Sequence, residues 1–146
     1  MNEFPISLVP DLSSLGVLEQ SVADFISTHD LDTEVQFRLN LMLDELITNS
    51  INYSLKAVAN PELQLLLSLE GEFLVARIED NGAAFNPFEE VPQPDTTARL
   101  EDRQVGGLGV FFAKQLADDC IYERKNERNQ ITLRCNIGGK THVGNT

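Results

Sequence analysis

The chain is predicted to be α+β: a two-layer α/β sandwich, with a mixed, mostly antiparallel sheet and about three helices on one face. Three observations predict this. Residues 63–69 and 73–78 read as strands joined by the turn Glu70-Gly71-Glu72. A second hairpin pairs 121–125 with 131–136 around Asn126-Glu127-Arg128-Asn129, so the strands are not chained through βαβ units. Two earlier stretches carry apolar residues at helical spacing. With 146 residues, 42% of them hydrophobic and 23% charged, the chain has the material for one buried core.

In chain order, residues 4–9 read as an edge strand, where Pro5 is tolerated. Asp11 and Ser13 offer N-caps for a helix through Leu18, Val22, Phe25 and Ile26. Asp32 caps a longer helix with Glu34 in its first turn, where the helix dipole favours an acid. That helix carries Phe37, Leu41, Leu43, Leu46, Ile47 and Ile51 and is expected to end near Lys56, before the break at Asn60-Pro61. Residues 83–105, with Pro87, Pro92 and Pro94, show no period; a loop of that length inside a domain is usually functional, often a lid. A third helix is expected through Val110, Phe111, Lys114, Gln115 and Leu116, stopping before Asp118-Asp119. Residues 1–137 are thus one domain, and 138–146 are expected to be a frayed tail.

The formal net charge is −12, which repels phosphate backbones and anionic lipid, so neither nucleic acid nor a membrane is an expected partner. No basic-apolar leader opens the sequence and no run approaches a membrane span, so a cytoplasmic location is expected. The two cysteines, Cys120 and Cys135, lack metal-type spacing and read as small apolar residues on neighbouring core strands. His29 and His142 stand apart from any cluster, which removes a zinc site and a His-based triad.

Chemistry concentrates in three segments. Glu45, Asn49 and Asn52 fall at i, i+4 and i+7 and share a helix face. A solvated polar face would look the same, but Thr48, Asn49 and Asn52 are weak helix formers in an otherwise strong helix, and function is one reason to tolerate them. Glu45 is a candidate general base and Asn49 a candidate oxygen ligand for Mg²⁺. Asp80-Asn81-Gly82 closes a strand; it is either a plain turn or a carboxylate placed to accept the exocyclic amine of adenine, and spacing does not decide between them. Gly106-Gly107-Leu108-Gly109 precedes a helix, offering free N–H groups and the dipole to phosphate, although a flexible helix start has the same pattern. No Gly-Lys-Ser/Thr follows, so it is not a Walker A loop. The polar 96–104 segment before it and Phe112 at the third glycine position exclude a Rossmann fingerprint. An acidic protein that binds ATP needs a metal ion and oriented N–H groups to offset charge.

Taken in order, these segments resemble the N, G1 and G2 boxes of the GHKL ATPase superfamily, the Bergerat or histidine kinase-like ATPase fold. The closer resemblance is to the stand-alone anti-sigma factor serine/threonine kinases. Glu45-Leu46-Ile47-Thr48-Asn49 matches the N box, residues 78–87 the G1 box and Gly106-Gly107-Leu108-Gly109 the G2 box. Residues 116–124 and 129–133 resemble the closing strand pair. The resemblance implies ATP and Mg²⁺ as cofactors and Glu45 as the base toward a substrate hydroxyl. It implies that Asn49 holds Mg²⁺, that Asp80 reads adenine with Thr132 supporting it, and that Gly82, Gly106, Gly107 and Gly109 fit the backbone to the nucleotide. It makes residues 93–105 an ATP lid, with Arg103 in reach of the transferred phosphate. Tyr53 stands where many N boxes carry His, and Ala83-Ala84 replaces a glycine common in histidine kinases. The implied partners are a STAS-type anti-sigma antagonist as substrate, a sigma factor, and a second copy in a homodimer. The alternative is a GHKL module that binds nucleotide or a partner and transfers no phosphate.

Overall fold

A computed structural model describes residues 2–90 and 117–138. Chain order is β1 (Asn2–Leu8), α1 (Ser14–Thr28), α2 (Thr33–Asn49), β2 (Leu63–Glu70), β3 (Phe73–Asp80), α3 (Pro87–Glu90), β4 (Asp119–Lys125) and β5 (Arg128–Asn136). The strands form one sheet in the order β1-β2-β3-β5-β4, and every pairing is antiparallel. Helices α1 and α2 pack on one face, as Phe4 of β1 meeting Phe25 of α1 edge-on at 5.8 Å illustrates. The expected sandwich is therefore present.

Strand alternation builds the core. Leu63, Leu65 and Leu67 of β2, Leu74, Ala76 and Ile78 of β3, and Ile131, Leu133 and Cys135 of β5 turn toward the helices and are buried. From α1, Leu18, Val22, Phe25 and Ile26 meet them, the spacing the sequence shows. Asp11 organises the entry to α1 by accepting from the Ser13 amide at 2.8 Å and from its hydroxyl. Those bonds hold the Asp11 carboxyl below its ordinary range. Asp32 caps α2 by accepting from the Glu34 amide at 2.9 Å.

Four expectations change. The buried stripe of α2 is Val35, Leu39, Met42, Leu43, Leu46, Ile47 and Asn49. Phe37 lies two residues from Val35, about 200° round the helix, and is 69% exposed. The α-helix does not run to Lys56. It ends at Asn49 and widens into a π turn over Ser50–Ser54, closed by the Leu55 amide donating to the Ser50 carbonyl at 2.8 Å. Within the segment that shows no period, Asn86-Pro87 starts the short α3: the Asn86 side chain accepts from the Phe88 amide at 3.0 Å, and Pro87 sits first in the helix. Finally, the β4–β5 loop is two residues long, not four. Asn126 and Glu127 both have positive φ (52° and 61°), as a type I′ turn requires, and Arg128 pairs with Lys125. The expected helix around 110–116 and the lid at 93–105 lie outside the described residues. No described helix is long and apolar enough to cross a membrane.

Candidate functional site

The last residue of β3, Asp80, is 1% exposed, and its Cα partner in β5 is Asn129, also 1% exposed. Oδ1 of Asp80 accepts from the Gly82 amide and from Asn129 Nδ2, each at 2.8 Å. Oδ2 accepts from the Ser54 hydroxyl at 3.1 Å, a hydrogen that the Ser50 carbonyl also attracts at 3.0 Å. The π turn makes this possible. It brings Ser54 over the strand end and directs the Ser54 carbonyl to the Ala83 amide at 2.8 Å. Asn81 pins the other side, donating to the Asn60 carbonyl at 2.9 Å and accepting from the Glu62 amide at 2.8 Å. Asp80-Asn81-Gly82 is thus a turn, and one whose carboxylate is buried and hydrogen-bonded.

At Gly82 a Cβ would lie 2.1 Å from the Ser54 carbonyl oxygen, so the missing side chain admits the turn that follows α2. The Gly82 carbonyl accepts from Arg124 Nη1 at 2.7 Å, tying the turn to β4. Tyr53, on the π turn, stacks on Phe85 with ring centroids 4.9 Å apart and planes 15° apart.

Thr132 does not support Asp80. It pairs with Arg77, three residues up the ladder from the Asp80–Asn129 pair, and an odd offset turns its side chain to the helix-free face. Asn129 occupies the supporting position. The sequence signal for it was the strand parity, which a four-residue turn hides.

On α2, Glu45 is half-buried and Asn49 is 5% exposed. Asn49 Nδ2 is buried without a hydrogen-bond partner among the described residues, a costly state for an amide that a ligand would relieve. Asn52, the third member of that face, is exposed. Asp44 is exposed, and partial desolvation and then the charge of Glu19 on α1 push its carboxyl above the ordinary range. Gly106, Gly107, Gly109 and Arg103 lie outside the described residues. A cleft of about 330 Å³, lined by Pro5, Leu66, Arg77, Glu79 and Gln130 among others, opens on the opposite sheet face and contains none of the expected site residues.

Residues 8–135 match the histidine kinase-like ATPase domain family. The chain belongs to that family. Among similar proteins, the serine-protein kinase RsbW of Listeria monocytogenes is 29% identical over 113 residues, covering 75% of this chain and 71% of that protein. The serine/threonine-protein kinase BtrW of Bordetella bronchiseptica is 27% identical over 99 residues, covering 68% and 69%. Two solved structures share the fold. The RsbU and RsbW domains of Rv1364c from Mycobacterium tuberculosis superpose with a TM-score of 0.63 at 10% identity, over 94% of this chain and 32% of that one. The histidine kinase domain of the Erythrobacter litoralis EL346 blue-light activated kinase gives 0.58 at 16% identity, over 88% of this chain and 62% of that one.

A histidine kinase-like ATPase domain implies ATP with a divalent cation, and the residues present fit both. Asn49 supplies an amide whose oxygen is a hard donor and whose unpartnered N–H suits a phosphate oxygen. Asp80 supplies an acceptor in a buried, hydrogen-bonded setting. Among the described residues no group of three or more His, Cys, Asp or Glu side chains could hold a metal ion.

Proposed function

We propose that this protein is an ATP- and Mg²⁺-dependent serine/threonine protein kinase of the anti-sigma factor type. Its substrate would be a STAS-domain anti-sigma antagonist, and phosphorylation would switch which partner it holds, a sigma factor among them. The reading rests on one observation above others: the π turn at the end of α2 joins Glu45 and Asn49 to the buried Asp80 through the Ser54 hydroxyl, 3.1 Å from Oδ2. On this reading one helix would reach from the adenine-reading end to the phosphate end. The kinase names of RsbW and BtrW support the same reaction class.

Within that scheme Asp80 anchors the base and Asn49 holds the phosphates and the cation in place. Mg²⁺ held beside Asn49 would supply neutralisation of phosphate charge. Glu45 accepts the proton of the substrate hydroxyl as the new O–P bond forms and the bond to ADP breaks, so most of the rate comes from positioning. A homodimer is part of the proposal.

Purified protein, Mg-ATP and a STAS-domain partner should yield phosphoserine or phosphothreonine by mass spectrometry. Glu45→Ala should abolish transfer while ATP still binds. Nucleotide binding without transfer in the wild type would leave the non-catalytic module as the function, and full transfer by Glu45→Ala would remove Glu45 from its role.

A further inference from the structure

We propose that Asn129 is a positioning residue that sets nucleobase selectivity, by leaving Asp80 with its open acceptor on Oδ2 alone; the inference rests on the nucleotide reading above. The Asn129 amide is completely used. Its Nδ2 donates to Asp80 Oδ1 and to the Ala83 carbonyl, both at 2.8 Å. Its Oδ1 accepts from the Tyr122 hydroxyl at 2.5 Å, from Arg124 Nη1 at 3.2 Å and from the Phe85 amide at 3.3 Å. Three donors around one end and two acceptors around the other fix the amide in a single orientation, since a flipped amide would set donor against donor. Asn129 therefore has no group left for a ligand and acts only through Asp80.

Lone pairs on Asp80 then decide what it recognises. Oδ1 is filled by the Gly82 amide and Asn129. Oδ2 receives at most the one Ser54 hydrogen, which the Ser50 carbonyl shares, so at least one lone pair stays open on a carboxylate that is 1% exposed. A purine with an amine at position 6 fills that acceptor. A purine with a carbonyl there sets oxygen against oxygen and leaves a buried carboxylate short of a donor. The geometry needs Asn129 because, together with the Gly82 amide, this side chain holds Oδ1 in place and leaves Oδ2 as the open acceptor.

The test is calorimetric affinity for ATP and for inosine triphosphate, which differ at position 6, with the wild type and Asn129→Leu. The wild type is expected to prefer ATP. Asn129→Leu should lower ATP affinity about tenfold or more and leave inosine triphosphate affinity within about twofold, so that the preference shrinks. Should Asn129→Leu fail to fold, the Tyr122→Phe/Arg124→Met double variant removes two of the three donors to Oδ1 and should shrink the preference about threefold. Equal loss of both nucleotides, or no loss of ATP, overturns the inference while the nucleotide reading stands. A wild type that binds neither nucleotide overturns both.

Discussion

Gly82 offers the sharpest test of how the site is assembled. A Cβ at that position would lie 2.1 Å from the Ser54 carbonyl oxygen, 2.4 Å from its carbon and 2.9 Å from the Ser54 Cβ, where ordinary contacts begin at 3.4 Å. The neighbours are mostly backbone of the π turn, so the turn itself must move by roughly 1.3 Å to restore contact distance. That shift strains the Ala83-to-Ser54 bond of 2.8 Å and the Ser54-to-Asp80 bond of 3.1 Å. Overpacking costs about 1–3 kcal/mol and one weakened buried hydrogen bond about 1 kcal/mol, so Gly82→Ala should destabilise by about 2–4 kcal/mol. For a chain of 146 residues, that is a fall in Tm of about 5–15 °C. Two other glycines serve as controls, since nothing lies within 4 Å of a Cβ at Gly16 or Gly71. Gly16→Ala, in α1, should stabilise by about 0.5 kcal/mol, and Gly71→Ala, at φ 65°, should cost about 1 kcal/mol from backbone strain alone. Thermal melts of all three give the order. A Gly82→Ala protein that melts within about 2 °C of wild type would refute the packing argument.

Burial pushes the Cys135 thiol up to about 11 from a reference of 9.0, despite the opposing charge of Arg38. Between those values the unfolded chain has lost a proton that the folded chain keeps, so the contribution is whole below pH 9 and stability should fall as pH rises toward 11. Denaturant titrations of wild type and Cys135→Ala should show the extra alkaline slope only in the wild type. Glu127 sits at φ 61° in the β4–β5 turn, where an L-residue costs roughly 1–2 kcal/mol and glycine does not. Glu127→Gly should therefore raise stability by about 0.5 kcal/mol after its own entropic cost, measured as a small rise in Tm.

Much of the fold was legible because its signals are local. The β2–β3 hairpin announces itself through Gly71, whose φ of 65° meets the demand of a two-residue turn, and α1 through the spacing of Leu18, Val22, Phe25 and Ile26. The positions of Asp80 at a strand end and of Asn49 on a helix are legible for the same reason. What escaped depends on contacts between distant segments. The π turn at Ser50–Ser54 is held by Asp80 and Ala83, some thirty residues on, and nothing in its own sequence requires it. Phe37 is apolar yet faces away from the core, because packing follows the phase set by Val35 and Leu39. Asn129 is hidden because, with Glu127 in place of glycine, the I′ turn carries a weak sequence mark and the strand parity that aligns Asn129 with Asp80 is not visible locally, while the Thr132 role comes from the family resemblance alone.

Calorimetry of Mg-ATP binding tests most directly whether Asp80 and Asn49 belong to one nucleotide site. The wild type should bind with heat that requires Mg²⁺, and Asp80→Asn, which places a donor where the adenine amine needs an acceptor, should bind about tenfold or more weakly. Absence of magnesium-dependent heat, or equal affinity in the two proteins, would contradict the account.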